Sequence, residues 1–223
     1  MFDVIDSSIY KYSDSIYIEE FKVLLQKIVI CYYLMLGDNL SLKNDENQIR
    51  DRLLIGYLKN NFVRERLKLK GFLFDREVPE DKSPGRTDIK IQTMQSFDDT
   101  EAYYIIECKR IDCKSQNGTS GLNAKYIENG IMRFIIDKYS CYYRLNGMIG
   151  FVVESMDIDQ NVNCLNDLIY QKFPETQTIQ NLQREGFIEN FEFLYSSKHN
   201  TVENTEILLY HLMLDFSGNI RHH

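Results

Sequence analysis

The segments GRTDIKI (residues 85–91) and YYIIECK (residues 103–109) decide how this chain is expected to fold. Each is a short extended run next to turn residues, which predicts a β-strand. Side chains alternate between the two faces of a strand, so Glu107 and Lys109 project side by side from an otherwise apolar strand. If the two strands pair as a hairpin, Asp88 approaches Glu107 at one edge of the pair.

The patterns on either side extend this prediction along the chain. Apolar residues three and four apart predict helices over residues 17–36, from residue 44 or 45 to about 62, and over 122–139. Extended runs predict strands over residues 72–78, 87–94, 103–109 and 148–154. Further on, we expect a helix over 161–173, a weaker helix over 179–185, and strands over 191–195 and 206–216. This order, α-β-β-β-α-β with extensions, is typical of an α/β domain.

Length and composition favour a single domain. A chain of 223 residues, 43% of them hydrophobic, can bury a full core without requiring two domains. We therefore expect one domain over residues 1–223. Its core would span about 45–154, with an N-terminal helix over 17–36 and a mixed C-terminal extension over 155–223.

Cysteine usage and the apolar segments indicate a cytoplasmic protein. The five cysteines are an odd number, widely scattered and without paired metal-ligand spacing, which fits reduced thiols. The most apolar segment, residues 28–36, is far shorter than the ~20 residues needed to cross a bilayer. The N-terminus carries Asp3 and Asp6 rather than a basic region before an apolar stretch. We therefore expect neither a secretory signal nor membrane association.

The pair of carboxylates beside a lysine predicts a metal-dependent reaction. Converging oxygens of Asp88 and Glu107 suit a hard divalent cation such as Mg²⁺. A neighbouring Lys109 could position or deprotonate a water molecule. Phosphodiester hydrolysis uses such a combination, since the metal lowers the pKa of the water and stabilises charge on the phosphate.

These residues resemble the PD-(D/E)XK nuclease superfamily, which has the restriction-endonuclease-like fold. The triplet Glu107-Cys108-Lys109 is similar to its E-x-K motif, and Asp88 is similar to its preceding metal-binding aspartate. In place of the family's Pro-Asp pair, this chain has Thr87-Asp88.

The resemblance covers roughly residues 45–154 and implies a mixed central sheet flanked by helices. It also implies Mg²⁺-dependent hydrolysis of nucleic acid, DNA rather than RNA, in restriction or another antiviral role. Mn²⁺ would be a substitute for Mg²⁺. Asp88, Glu107 and the Cys108 carbonyl would bind the metal, with Glu46 as a possible additional ligand. An acidic residue in the first turn of a helix is also favoured by the helix dipole alone, so a purely structural role for Glu46 stays open.

Four polar residues are candidates for contact with nucleic acid. Lys125, Asn129 and Arg133 stand four residues apart on the helix after the motif, hence in one row. If this row faces the cleft, it could grip phosphates, as polar residues on this helix do in the superfamily; the alternative is a solvated face. Arg86 could contact a phosphate or pair with an acid.

The net charge of -7 is the main observation against nucleic-acid binding, because Lys and Arg supply much of such binding. A homodimer or a partner protein could provide the basic surface. Three alternatives therefore remain at this point. One is a catalytically silent interaction module with the same fold, another is an enzyme of DNA repair or one directed at RNA, and the third is an exposed Glu-Lys pair without function. The four histidines show no ligand spacing and receive no role.

Overall fold

The computed structural model describes residues 7–79, 86–114, 118–136, 139 and 142–221. Asp3, Asp6, Gly85 and two of the four histidines, His222 and His223, lie outside these residues. Helices span α1 Ser7–Gly37, α2 Glu46–Leu53, α3 Asn61–Arg66, α4 Leu122–Tyr126, α5 Met132–Ile135 and α6 Ile158–Lys172. Strands span β1 Leu73–Pro79, β2 Arg86–Gln92, β3 Tyr103–Ile111, β4 Leu145–Val152, β5 Thr178–Arg184, β6 Leu194–Asn200 and β7 Glu206–Asp215.

The strands form one mixed sheet of seven, in the order β1-β2-β3-β4-β7-β6-β5. β3, β4 and β7 run parallel in its centre, and the outer pairs are antiparallel. β4 is buried at all eight of its positions, as expected of a parallel strand that is covered on both faces. The α/β class and the mixed sheet are therefore confirmed.

A hydrophobic core lies on each face of the sheet. Alternation along β3 sends Tyr104, Ile106 and Cys108 into the core that α1 and α2 cover. Ile105 and Ile111 enter the second core, which α4, α5 and α6 cover. The side chains of Glu107 and Lys109 belong to this second face.

Two of the predicted helices near the candidate site are interrupted. α2 continues as a π-helical turn, Leu54–Leu58, and the chain then starts α3 with Asn60 as its cap. The predicted helix over 122–139 is α4, a π-helical turn over Ile127–Ile131, and α5. Short 3₁₀ turns at Met94–Phe97, Pro174–Thr176 and Ser217–Asn219 complete the described elements.

The C-terminal extension departs most from the prediction. The weak helix expected over 179–185 is wrong, since β5 is an edge strand whose backbone pairs with β6. Backbone pairing with β6 outweighs the weak helical pattern of this polar segment. The strand expected over 191–195 begins at Leu194 and runs on to Asn200. Among the residues described, no helix has the length and apolarity that crossing a membrane demands.

Candidate active site

Four oxygen atoms from three elements converge on the ammonium group of Lys109. Its Nζ lies 2.6 Å from the Cys108 carbonyl oxygen and 2.7 Å from Glu107 Oε1. Asp88 Oδ2 and Glu46 Oε1 lie 3.4 and 3.2 Å from the same nitrogen. The structure thus brings together all of the residues predicted to bind metal or to act in catalysis, although their roles stay predictions.

The register of β2 and β3 places Asp88 beside Glu107. The antiparallel ladder pairs Ile89 with Ile106 and is not continued beyond that pair. Beyond that pair, the Asp88 side chain replaces the backbone as the acceptor: its Oδ2 accepts a hydrogen bond of 2.8 Å from the Cys108 amide. Ile89 is fully buried in the core on the opposite face. The alternation inferred from the sequence therefore holds at this position.

Glu46 reaches the site from the first turn of α2. Asp45 caps this helix by accepting from the Gln48 amide, which fixes where the helix begins. One carboxylate oxygen of Glu46 contacts Lys109, and the other accepts a bond of 3.0 Å from the Arg110 amide. Of the acidic residues around the start of α2, Glu46 is the one at the site, while Asp45 serves as the cap.

Glu107 is fully buried and held by three donors. Arg133 Nη1 and Lys109 Nζ donate to Oε1 over 2.6 and 2.7 Å, and the Tyr139 hydroxyl donates to Oε2 over 2.6 Å. Burial and the charge of Asp88 raise the pKa of Glu107 to about 7, against the opposing effect of the two cations. No local pattern points to Tyr139, because its contact with Glu107 joins residues 32 positions apart in the chain.

Asp88 is ionised and Lys109 is charged. Burial by itself would raise the pKa of Asp88, but the Lys109 ammonium, the Cys108 amide and the Arg50 guanidinium hold it below its usual value. Burial by itself would lower the pKa of Lys109, yet the three surrounding carboxylates raise it above its usual value. The centre therefore contains a permanent positive charge inside an acidic shell.

Arg50 supports the site and was missed by the sequence analysis. It is only 1% exposed and donates to Asp88 Oδ1 over 2.9 Å, to Asp51 Oδ1 over 2.9 Å and to Glu77 Oε1 over 2.8 Å. Glu77 has a φ of 49°, a left-handed conformation unusual for a residue in a strand. Arg50 lies one helical turn after Glu46, and this spacing was the available signal.

The candidates for nucleic-acid contact separate into two groups. Lys125 and Asn129 are exposed, whereas Arg133 turns to Glu107. The three residues do not lie on one regular α-helix, because a π-helical turn separates α4 from α5. Their contact with nucleic acid stays a prediction. Arg86 is mostly exposed and lies 3.9 Å from Glu77 Oε2, so acid pairing and phosphate contact both remain open to it.

Gly130 lets this helix lie close to the site. A Cβ atom there would stand 2.5 Å from Met148 Cε and 3.5 Å from Lys109 Cγ. The glycine lies inside the π-helical turn, a feature that occurs frequently at functional sites.

The donor set suits a hard cation, but the ammonium fills its centre. Carboxylate and carbonyl oxygens are the ligands that Mg²⁺ prefers. In the part of the chain that the structure describes, no three His, Cys, Asp or Glu side chains are grouped so that they could hold a metal ion. Lys109 stands between the three carboxylates and offsets part of their charge in this conformation. Arg50 and Arg133 pair with Asp88 and Glu107 from outside.

The two described histidines form part of a separate buried chain of polar groups. His211 contacts the Tyr126 hydroxyl through Nδ1 and Ser197 through Nε2, both over 2.8 Å. Ser197 in turn contacts His199 Nε2 over 2.8 Å. Burial lowers the pKa of His199 to about 4 and that of His211 to about 3. Both rings are therefore neutral, and the network is a structural element of the second core.

Comparisons with protein families, with curated proteins and with solved structures find no match to this chain.

Proposed function

We propose that this chain is a Mg²⁺-dependent nuclease with a restriction-endonuclease-like core. The observation that carries the proposal is the convergence of Asp88, Glu107, Glu46 and the Cys108 carbonyl on one cation, the Lys109 ammonium. A cage of oxygens that holds an ammonium in this way has the charge and the donor chemistry for a metal ion. The order α2, β1 to β3, α4 and α5, β4 supports the same assignment.

The reaction would be hydrolysis of a phosphodiester bond. A water oxygen attacks phosphorus, the bond from phosphorus to the leaving sugar oxygen breaks, and the products are a phosphate monoester and an alcohol. When bound, Mg²⁺ would lower the pKa of a water molecule and stabilise charge on the phosphate. Asp88, Glu107, Glu46 and the Cys108 carbonyl would hold it. DNA is the proposed substrate, and defence by restriction is the proposed role.

Lys109 has a different task from that of the carboxylates. Its flexible stem lets the ammonium move from the cage towards the attacking water or the phosphate. There the ammonium would orient the water and donate hydrogen bonds to the phosphate. Arg133 and Tyr139 keep the Glu107 carboxylate in place while Lys109 moves, since each donates to it independently of the ammonium.

One observation favours a second function. The ammonium already occupies the centre of the cage, and the described residues contain no group of three side chains that could hold a metal ion. A catalytically silent module that kept this fold to bind a partner protein would show the same closed arrangement. The two functions differ in whether a divalent cation can displace the ammonium.

The test uses the purified full chain with supercoiled plasmid, single-stranded DNA and RNA, in Mg²⁺, in Mn²⁺ and in excess chelator. We expect metal-dependent cleavage that Asp88→Asn and Glu107→Gln each abolish. The matched control is Asp75→Asn, because Asp75 lies on β1 of the same sheet and pairs with Lys59 over 3.5 Å, away from the cage. Calorimetry with Mn²⁺ on the same proteins separates binding from cleavage. Absence of both in the unmodified chain contradicts the nuclease and leaves the silent module.

A further inference from the structure

α1 is apolar on two opposite sides. One side is buried in the first core through Phe21, Leu24, Ile28 and Met35. The side that faces solvent should be polar, yet it carries Ile16, Val23, Ile30 and Leu34, which are 55, 45, 39 and 40% exposed. We call these four residues the α1 stripe. A helix that is hydrophobic all round is normally covered on both sides.

The spacing of the α1 stripe fits contact with another helix. Ile16, Val23 and Ile30 stand seven residues apart, which places them in line after every second turn. From the first to the last, this line extends roughly 21 Å along the helix. Branched side chains at such positions are the usual contact residues of paired helices. The stripe is therefore shaped for a long helix that carries a similar line of apolar residues.

We infer that the α1 stripe is the interface of a homodimer in which two copies of α1 pack antiparallel around Val23. Two-fold symmetry makes an interface self-complementary. With Val23 on the symmetry axis, Ile16 of one copy faces Ile30 of the other. The line of Ile16, Val23 and Ile30 is symmetric about Val23, so these three residues match in the two copies, and Leu34 lies beyond the matched part.

Charge supports the antiparallel direction. In that direction, Lys27 of one copy lies beside Glu20 of the other, and the symmetry repeats this opposite-charge contact on the other half. In a parallel pair, Glu19 would face the same residue of its partner in the layer between Ile16 and Val23, which places like charges together. A single stripe contributes less area than the ~1,600 Å² of a standard interface, so we expect an equilibrium between monomer and dimer that depends on concentration.

The test exploits the symmetry axis, where residue 23 meets its own copy. The full chain is measured by sedimentation velocity across a concentration series, and we expect a reversible dimer. Val23→Glu and Val23→Lys each place two like charges against each other, which should raise the dissociation constant ~100-fold. An equimolar mixture of the two variants places opposite charges there and should dimerise again. Val23 is half exposed, so folding should be retained, and circular dichroism checks this.

Ile55→Glu is the matched control, because Ile55 is also an exposed helical isoleucine, at 53%, outside the α1 stripe. It should leave the dimer unchanged. A monomeric unmodified chain at every concentration, a dimer that persists in both Val23 variants, or a mixture that stays monomeric would each overturn the inference. Nuclease activity plays no part in this measurement, so its result is independent of the proposed function.

Discussion

Replacing Arg50 by methionine should destabilise the protein, because it removes the buried cation that Asp88, Glu77 and Asp51 share. Methionine retains much of the volume of arginine but removes the charge and every hydrogen bond that the guanidinium donates. Asp88, Glu77 and Asp51 then lose their shared cation at distances of 2.8–2.9 Å. Asp88 is affected most, because its side chain is only 14% exposed.

The magnitude follows from how much water can replace the lost partner. Breaking a buried ion pair by removing one member typically costs about 3–5 kcal/mol. The side chains of Asp51 and Glu77 are 28 and 39% exposed, so water recovers part of their loss and the low end applies. We expect a loss of about 3 kcal/mol. For a chain of this size, each kcal/mol corresponds to about 2–4 °C, so the melting temperature should fall by about 6–12 °C.

Arg52→Met is the matched control, since Arg52 lies on the same helix and is exposed. Urea denaturation and thermal melts of both variants, and of the unmodified chain, give the free energies of unfolding. The double variant Arg50→Met with Asp88→Asn should lose less than the sum of its single changes, because neutral asparagine no longer needs the guanidinium. A loss within about 1 kcal/mol of the Arg52→Met value would refute the supporting role of Arg50.

Three further predictions concern other parts of the molecule. Lys109→Met removes the cation at the centre of the three carboxylates, so the melting temperature should fall without divalent cations. Mg²⁺ should then raise the melting temperature more than in the unmodified chain; equal Mg²⁺ responses would count against the cage. His199 and His211, with pKa values of about 4 and 3, stay neutral in the fold, whereas the unfolded chain protonates them near 6.5. The two histidines should therefore lower stability as the pH falls from about 6.5 towards 4, by up to ~1.4 kcal/mol per pH unit for each histidine. Glu107, whose pKa is raised to about 7, has the opposite effect in this window but offsets only one of the two histidines; urea midpoints that match at pH 7 and pH 5 would contradict this. Gly150→Ala should cost about 1–3 kcal/mol, because its Cβ would lie 2.6 Å from Met213 Sδ with two further atoms within 3.3 Å. Gly186→Ala, with nothing within 4 Å, is the control in the same denaturation assay.

The sequence predicted the parts of the site that depend on local periodicity. Alternation along β3 put Glu107 and Lys109 on one face, and the short connection between β2 and β3 made a hairpin that brings Asp88 to them. The apolar spacing of α2 placed Glu46 at the start of a helix. Each of these inferences rests on a pattern of a few residues, which backbone geometry converts directly into position.

The supports of the site could not be predicted in the same way. Tyr139 reaches Glu107 from a segment 32 residues further along the chain, and no local pattern encodes that contact. The π-helical turn around Gly130 packs closely against Met148 of β4, a contact between residues that are distant in sequence. β5 is a strand because its backbone pairs with that of β6. In all three cases the decisive interaction is tertiary, and it outweighs or adds to local propensity.

The distribution of cations around the site explains how three carboxylates can converge in a folded chain, and how the proposed metal could reach them. Arg50 and Arg133 bind the carboxylates of Asp88 and Glu107 from outside the cage, and both are planar groups with fixed donor geometry. Lys109 lies inside the cage on a flexible stem. Exchange of the ammonium for a metal ion would thus leave the outer supports in place. The fold keeps the carboxylates converged through the arginines, and only the lysine has to move.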